Sequence, residues 1–340
     1  MGSHSRPRVT PEPTVGDLWP HLAGCTPPAV TAPQAWTDLA PRLSALPGPV
    51  VGWERPIDDP RPSEWGFPLP RWQRDAALDI NHPISSHLAP LVRAWVDHPG
   101  LDRLCDLQMH TWDIVDDASA TPCVFLRVDP SADWKAMVRG YATALRDHGR
   151  VTDSLAWSDV ADRLEETAAR TPLTDVGSVG IYLGRPGCPI RLTVRARLRP
   201  YPDHPAWARV DEIVTAAEWR PEHVIVAFAP GPDPGDVWHV PLIVDRRPHP
   251  AEALRPLLAA LVDRGLATTG SADAIAGYDV RRALPLAAPT LDGVPASATL
   301  WAAPERIKVV VDPTGWRSAK VDFLARVIWR SVTGQVLVDH

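Results

Sequence analysis

From residue 84 onward the apolar positions follow two rhythms in turn. DLQMHTWDIV and PCVFLRVD, SVGIYLG and CPIRLTVRARLR, HVIVAFA and VWHVPLIVD, and RIKVVVD and SAKVDFLAR are short stretches in which apolar residues alternate with polar ones or run together. Successive strand side chains point to opposite faces, so these stretches read as eight strands. Each pair is split by turn-forming chain: DDASAT, RPG, PGPDPGD and PTG. Strands joined so closely are antiparallel neighbours. Between the pairs the period lengthens to that of a helix. Trp134, Met137, Val138, Tyr141 and Leu145 recur at helical spacing between Ser131 and Gly149, and Trp157, Val160, Ala161 and Leu164 follow. Later helices carry Trp207, Val210 and Val214, then Leu254, Leu257, Leu258 and Leu261 between Pro250 and Gly265. The helix SSHLAPLVRAWVDH precedes the first strand.

The unit strand–strand–helix thus recurs about four times, and its helices must cover one face of the sheet. No alternation of single strands with helices is visible, which disfavours Rossmann and TIM architectures. The pattern predicts an α+β fold of repeated antiparallel β-hairpin–helix units. The sheet either stays open or closes into a barrel surrounded by helices; closure would remove its exposed edges. The main domain is expected over 84–330, with a short tail at 331–340.

Residues 1–83 read differently. Fifteen of the 39 prolines fall within the first 70 residues. Proline removes backbone donors and restricts the residue before it, so this chain is expected to be extended or turning, with one helix near Gln34 to Leu46. Trp19, Trp36, Trp53, Trp65 and Trp72 suggest a segment that wraps against the main body.

Composition narrows the function classes. Of 340 residues 45% are hydrophobic and 22% charged, with a formal charge of −6, which suits a globular chain with a real core. It argues against broad nucleic-acid binding, which needs basic excess. No window approaches the roughly 18 apolar residues of a membrane span. The start, MGSHSRPRVT, has no apolar signal region, and Met1 to His4 read as an expression remnant, so the expected compartment is the cytoplasm. Cys25, Cys105, Cys123 and Cys188 form neither a CxxC pair nor a zinc-site spacing. GxSxG, GxxxxGK and GxGxxG are absent, and the pairs Asp58–Asp59 and Asp116–Asp117 read as turn residues. No cofactor and no metal are expected. The 15 tryptophans read first as core and strand-face filling.

The most informative strand is Ile190 to Arg199. Its apolar residues alternate with Arg191, Thr193, Arg195, Arg197 and Arg199, so four arginines share a face. That face is either solvated or lines an interior whose guanidinium forks grip an anion in bidentate geometry. Arg127, Arg306, Lys308 and Lys320 place cations on three further strands. Cations at matched positions in several strands point to a shared anion site. His110 shares a face with Gln108 and Trp112, while Asp113 lies on the other face or at the turn; His239 follows Trp238. Histidine titrates near neutrality, so His110 and His239 are acid/base candidates as well as ordinary hydrogen-bonded residues.

The repeated ββα units, the Arg and Lys on alternating strand positions and the terminal AKVDFL strand resemble the soluble aromatic prenyltransferases with the ABBA barrel. The resemblance covers roughly residues 100–330. It implies a closed barrel of ten strands, of which eight are legible. It also implies basic strand residues that bind an isoprenoid diphosphate and aromatic side chains that shield an allylic cation, with tryptophans in place of that family's tyrosines. TWDIVDDASATPCVFL and RIKVVVDPTGWRSAKVDFL also resemble stretches of uncharacterised bacterial proteins. The expectation is a metal-independent, prenyltransferase-like tailoring enzyme of bacterial specialised metabolism. Its donor would be an anionic diphosphate and its acceptor an aromatic molecule or peptide. Arg191, Arg195, Arg197, Arg306, Lys308 and Lys320 would hold the anion, Trp112 and Trp238 would face the cation, and His110 or Asp113 would take the acceptor proton. The alternative is a non-catalytic accessory protein that holds a peptide for a partner enzyme. Neither reading requires nucleic acid or a membrane.

Overall fold

The structure is a computed structural model that describes residues 9–10, 13–23, 50–59, 64–71, 74, 85–113, 122–196, 203–216, 224–229, 237–243, 250–286, 288–331, 333 and 335–339. In chain order the elements are β1 (Val9–Thr10), α1 (Val15–Ala23), β2 (Val50–Pro56), β3 (Glu64–Pro70), α2 (Ser85–Asp97), α3 (Leu101–Leu104), β4 (Cys105–Asp113) and β5 (Cys123–Val128). They continue as α4 (Trp134–Leu145), α5 (Trp157–Arg170), β6 (Val176–Tyr182), β7 (Ile190–Ala196), α6 (Pro205–Ala216), β8 (Val224–Phe228) and β9 (Trp238–Ile243). The last are α7 (Pro250–Asp263), α8 (Thr269–Ala276), β10 (Val280–Leu284), β11 (Thr290–Leu291), β12 (Val294–Asp312), β13 (Gly315–Ser331) and β14 (Val336–Asp339).

Ten of these strands close a barrel. The order is β12-β9-β8-β7-β6-β5-β4-β3-β2-β13, every pairing is antiparallel, and the pairing of β12 with β13 shuts the ring. The sheet is therefore closed, and the eight strands legible in the sequence are all in it. The other two, β2 and β3, come from the proline-rich segment expected only to wrap. Tryptophans on their helix-facing side hold them there. Trp53 stacks on Phe323 of β13 with centroids 5.3 Å apart, and Trp65 lies 5.7 Å from Trp112 of β4. Gly66 permits the close approach of β3 to β4, since a Cβ there would meet the His110 carbonyl at 2.5 Å. The helix expected near Gln34 to Leu46 lies outside the described residues.

Beyond the barrel β12 and β13 run on as a ribbon. β10 and β11 join the flank of β12, β1 joins β11, and β14 joins β13. α8 and these short strands were not legible from periodicity.

The helices pack on the outer face of the barrel, where the core lies. Trp134, Met137, Tyr141 and Leu145 of α4 and Trp157, Val160 and Leu164 of α5 are buried, as their spacing predicts. α4 begins one turn after Ser131, where the Asp133 carboxylate caps it by accepting from the Lys135 amide at 2.8 Å. Among the described residues no helix is long and apolar enough to cross a membrane.

Candidate functional site

Strand register sorts the barrel side chains into two faces. Gln108 identifies the outer one: its Nε2 donates to the Tyr141 hydroxyl of α4 at 2.8 Å and to the Leu91 carbonyl of α2 at 3.1 Å. His110 and Trp112 alternate with it and share that face. His110 is fully buried, stacks on Phe67 at 5.5 Å, and neither ring nitrogen has a hydrogen-bond partner. Burial pushes its pKa down to about 3. Trp238 also faces outward, buried against Trp207 of α6 at 5.8 Å and His204 at 4.6 Å. The roles expected for His110, Trp112 and Trp238 toward a bound ligand are corrected by this placement. All three side chains belong to the layer between barrel and helices, and none of them faces the interior.

The interior face carries the charge. Arg306, Asp322, Glu54, Glu64 and Asp113 are successive cross-strand partners on β12, β13, β2, β3 and β4, so they form one continuous row. Two residues further along β12 and β13, Lys308 pairs with Lys320. The two ammonium groups meet on one carboxylate: Lys320 donates to Glu54 Oε1 at 2.6 Å and Lys308 to Glu54 Oε2. Lys308 Nζ also lies 3.8 Å from Asp322 Oδ1, and the Arg306 Nε donates to Asp322 Oδ2. Arg306, Lys308 and Lys320 are thus brought together as expected, though with internal counter-ions the sequence reading did not include.

The remaining expected residues divide. Arg191 is half-buried, its guanidinium 4.8 Å over the Tyr182 ring, and among the described residues no carboxylate pairs with it. Arg195 shares the Arg191 face and is exposed. Arg197 lies outside the described residues. Asp113 is bound bidentately by Arg185 of the β6–β7 turn, both contacts 2.7 Å, and Arg185 also covers the other side of the site by lying 4.2 Å over Tyr182. The aromatic lining is Tyr182 with Phe125, edge to face at 5.5 Å, and Gly180 leaves them room, since a Cβ there would stand 2.9 Å from Phe125. His239 lies on the interior face, in register with Ala227 of β8 and Val310 of β12 on the neighbouring strands.

These positions set the protonation states. Burial would raise the Glu54 carboxyl, but Lys308 and Lys320 overcome it and hold it well below the usual carboxylate range. Glu64 moves the other way, up to about 7, because burial and then Glu54, Asp113 and Asp322 outweigh the attraction of Lys308. Asp322 is raised by burial and by Glu54 against Lys308 and Arg306. Lys308 stays firmly charged, since Asp322, Glu54 and Glu64 overcome its burial. Burial, with Arg191 and Lys308 nearby, lowers His239 to about 3.

The interior therefore holds five cations (Arg185, Arg191, Arg306, Lys308, Lys320), three carboxylates that four of them engage (Glu54, Asp322, Asp113), and Glu64, whose pKa is raised to about 7. Sequence reasoning missed Glu54, Glu64, Asp322, Arg185 and Tyr182. Asp322 was visible in SAKVDFL, where it alternates with Val321 and Phe323 as Lys320 does. Among the described residues no group of three or more His, Cys, Asp and Glu side chains is arranged to hold a metal ion. No protein-family model matches the chain, and comparison with curated proteins gives no match.

Proposed function

We propose that the protein is a metal-independent transferase of the aromatic prenyltransferase kind, taking an allylic diphosphate as donor and an aromatic molecule or peptide as acceptor. The observation that carries this reading is the convergence of Arg191, Arg306, Lys308 and Lys320 from three strands on the inside of a closed ten-stranded antiparallel barrel. Preorganised cations in a sheltered site stabilise the negative charge that develops on a leaving diphosphate. In the step envisaged, the donor C–O bond breaks with its electron pair leaving on the diphosphate. The acceptor forms the new bond to the allylic carbon and gives its proton to a carboxylate. Asp113, on the interior face, keeps that role, and His110, buried between barrel and helices, does not. Tyr182 and Phe125 replace Trp112 and Trp238 as the aromatic faces available to a cation.

Arginines spread on the outside, beside an exposed apolar groove or sheet edge, would favour the accessory-protein reading. The interior position of the basic cluster favours the enzyme. Isothermal titration with allylic diphosphates of increasing chain length tests the proposal: saturable heat is expected, together with product when an aromatic acceptor is added. A folded protein that gives no heat with any chain length rules it out.

A further inference from the structure

We propose that the barrel interior takes up a proton as it takes up an anion, and that Glu64 is the group that receives it. This rests on the anion-binding reading above and concerns how that site is regulated.

The groups facing Glu64 come from every neighbouring element: Glu54 from β2, Asp113 from β4, Cys123 from β5, Asp322 from β13, Lys308 from β12, Tyr182 from β6 and Arg185, 3.9 Å away, from the β6–β7 turn. Within the barrel the cations are already engaged. Lys308 and Lys320 hold Glu54, Arg306 holds Asp322, and Arg185 holds Asp113. Arg191 alone of the five lies against a ring instead of a carboxylate. Ionising Glu64 would add another charge to a contiguous row of carboxylates whose nearest cation, Arg185 at 3.9 Å, is already bound bidentately to Asp113. The row is already short of donors, since the buried Asp322 Oδ1 has no hydrogen-bond partner. An anion entering among Arg191, Lys308 and Lys320 competes with Glu54 for the same ammonium groups and adds its own field to the row. Like charges at this range disfavour ionisation, so the ligand binds the form in which Glu64 is neutral. The free group sits at about 7, so at and above neutral pH binding draws a proton from solvent. The dissociation constant should then rise with pH, by up to about tenfold per unit once Glu64 is ionised in the free protein.

The probes are inorganic pyrophosphate for affinity and methanedisulfonate, a dianion with no exchangeable proton, for counting protons. Each is titrated calorimetrically near pH 7.5 in two buffers of different ionisation enthalpy, and again near pH 6 and pH 8.5. The expected result for the natural chain is fractional proton uptake and weaker binding at high pH. In Glu64→Gln the uptake should vanish, and affinity near pH 8.5 should exceed that of the natural chain about tenfold while matching it near pH 6. Binding whose heat is the same in both buffers overturns the inference, as does uptake that persists in Glu64→Gln. The buffer comparison on the natural chain needs no variant and decides the matter if the substitution misfolds. If neither dianion binds near pH 6, the anion-binding reading itself fails, and this inference with it.

Discussion

Lys320 donates to Glu54 at 2.6 Å although 266 residues separate them in the chain. The contact crosses the seam where β2, from the proline-rich segment, pairs with β13, from the last barrel hairpin. With Lys308 on the other oxygen of the same carboxylate, one glutamate ties the two ends of the sheet together on the inside.

Glu54→Gln should therefore destabilise the protein at neutral pH. Removing one partner of a fully buried ion pair costs about 3–5 kcal/mol. The lysine side chains retain 21% and 28% exposure, so solvent screening reduces the expected loss to about 1–3 kcal/mol. Urea unfolding at pH 7 measures it. A midpoint equal to that of the natural chain would show that the seam is held by strand pairing and aromatic packing alone.

His110 and Glu64 make opposite contributions to the pH profile. The folded pKa of His110 lies at about 3, below the ordinary 6.5, so the unfolded chain binds the proton first. Stability falls as pH drops from 6.5 toward 3, by up to about 1.4 kcal/mol per unit. Glu64 stands at about 7 against an ordinary 4.5, so its share of stability is present below 4.5 and is lost as pH rises through 7. Against the natural chain, His110→Leu should flatten the acid limb and Glu64→Gln the limb between 4.5 and 7. Since His110 is stacked on Phe67 with both nitrogens unpaired, the leucine variant should be no less stable at pH 7. Melting temperatures across pH 4 to 8 test both limbs. A His110→Leu profile parallel to the natural one would contradict the buried neutral imidazole.

Arg191 and Trp112 should separate ligand binding from stability. Arg191→Gln removes a cation that no described carboxylate holds, so the stability of the empty protein should change by no more than about half a kcal/mol. Its pyrophosphate affinity should fall about tenfold, the worth of one charge-assisted contact. Trp112→Leu should do the reverse, losing about 2–4 kcal/mol of stability from a packed aromatic layer while leaving pyrophosphate affinity unchanged in the folded fraction. Thermal shift with and without pyrophosphate reads both. A Trp112 variant that folds normally but binds poorly would return that indole to the interior.

Gly66→Ala tests how closely β3 is pressed onto β4. The added methyl would stand 2.5 Å from the His110 carbonyl and 2.6 Å from Thr111 Cγ2. Backbone cannot yield as a flexible side chain does, so a loss of about 1–3 kcal/mol is expected. An unchanged unfolding midpoint would mean that the two strands stand further apart.

The local rhythm of the chain was enough for the hairpins and their covering helices. Alternation in IRLTVRA separates Arg191 and Arg195 from Ile190, Leu192 and Val194, and the structure keeps that division, with the three apolar residues buried. The same alternation in DLQMHTWD grouped Gln108, His110 and Trp112 correctly on one face. Which face would look inward was not legible. Both sides of β4 mix polar with apolar residues, and only the bonds from Gln108 to α2 and α4 orient the strand.

β2 and β3 were hidden for a different reason. Pro56, Pro68 and Pro70 lack the amide that marks a sheet residue, and the pull of Trp53 and Trp65 toward Phe323 and Trp112 comes from residues remote in sequence. With those strands went Glu54 and Glu64, and so the counter-ions of the lysines. Parity along a strand is a property of neighbouring residues, and a sequence states it directly. Closure of the barrel depends on β2 meeting β13 and β12 meeting β13. It turns the basic face into an interior and sets a carboxylate between Lys308 and Lys320, and it arises from packing between distant segments that no local pattern encodes.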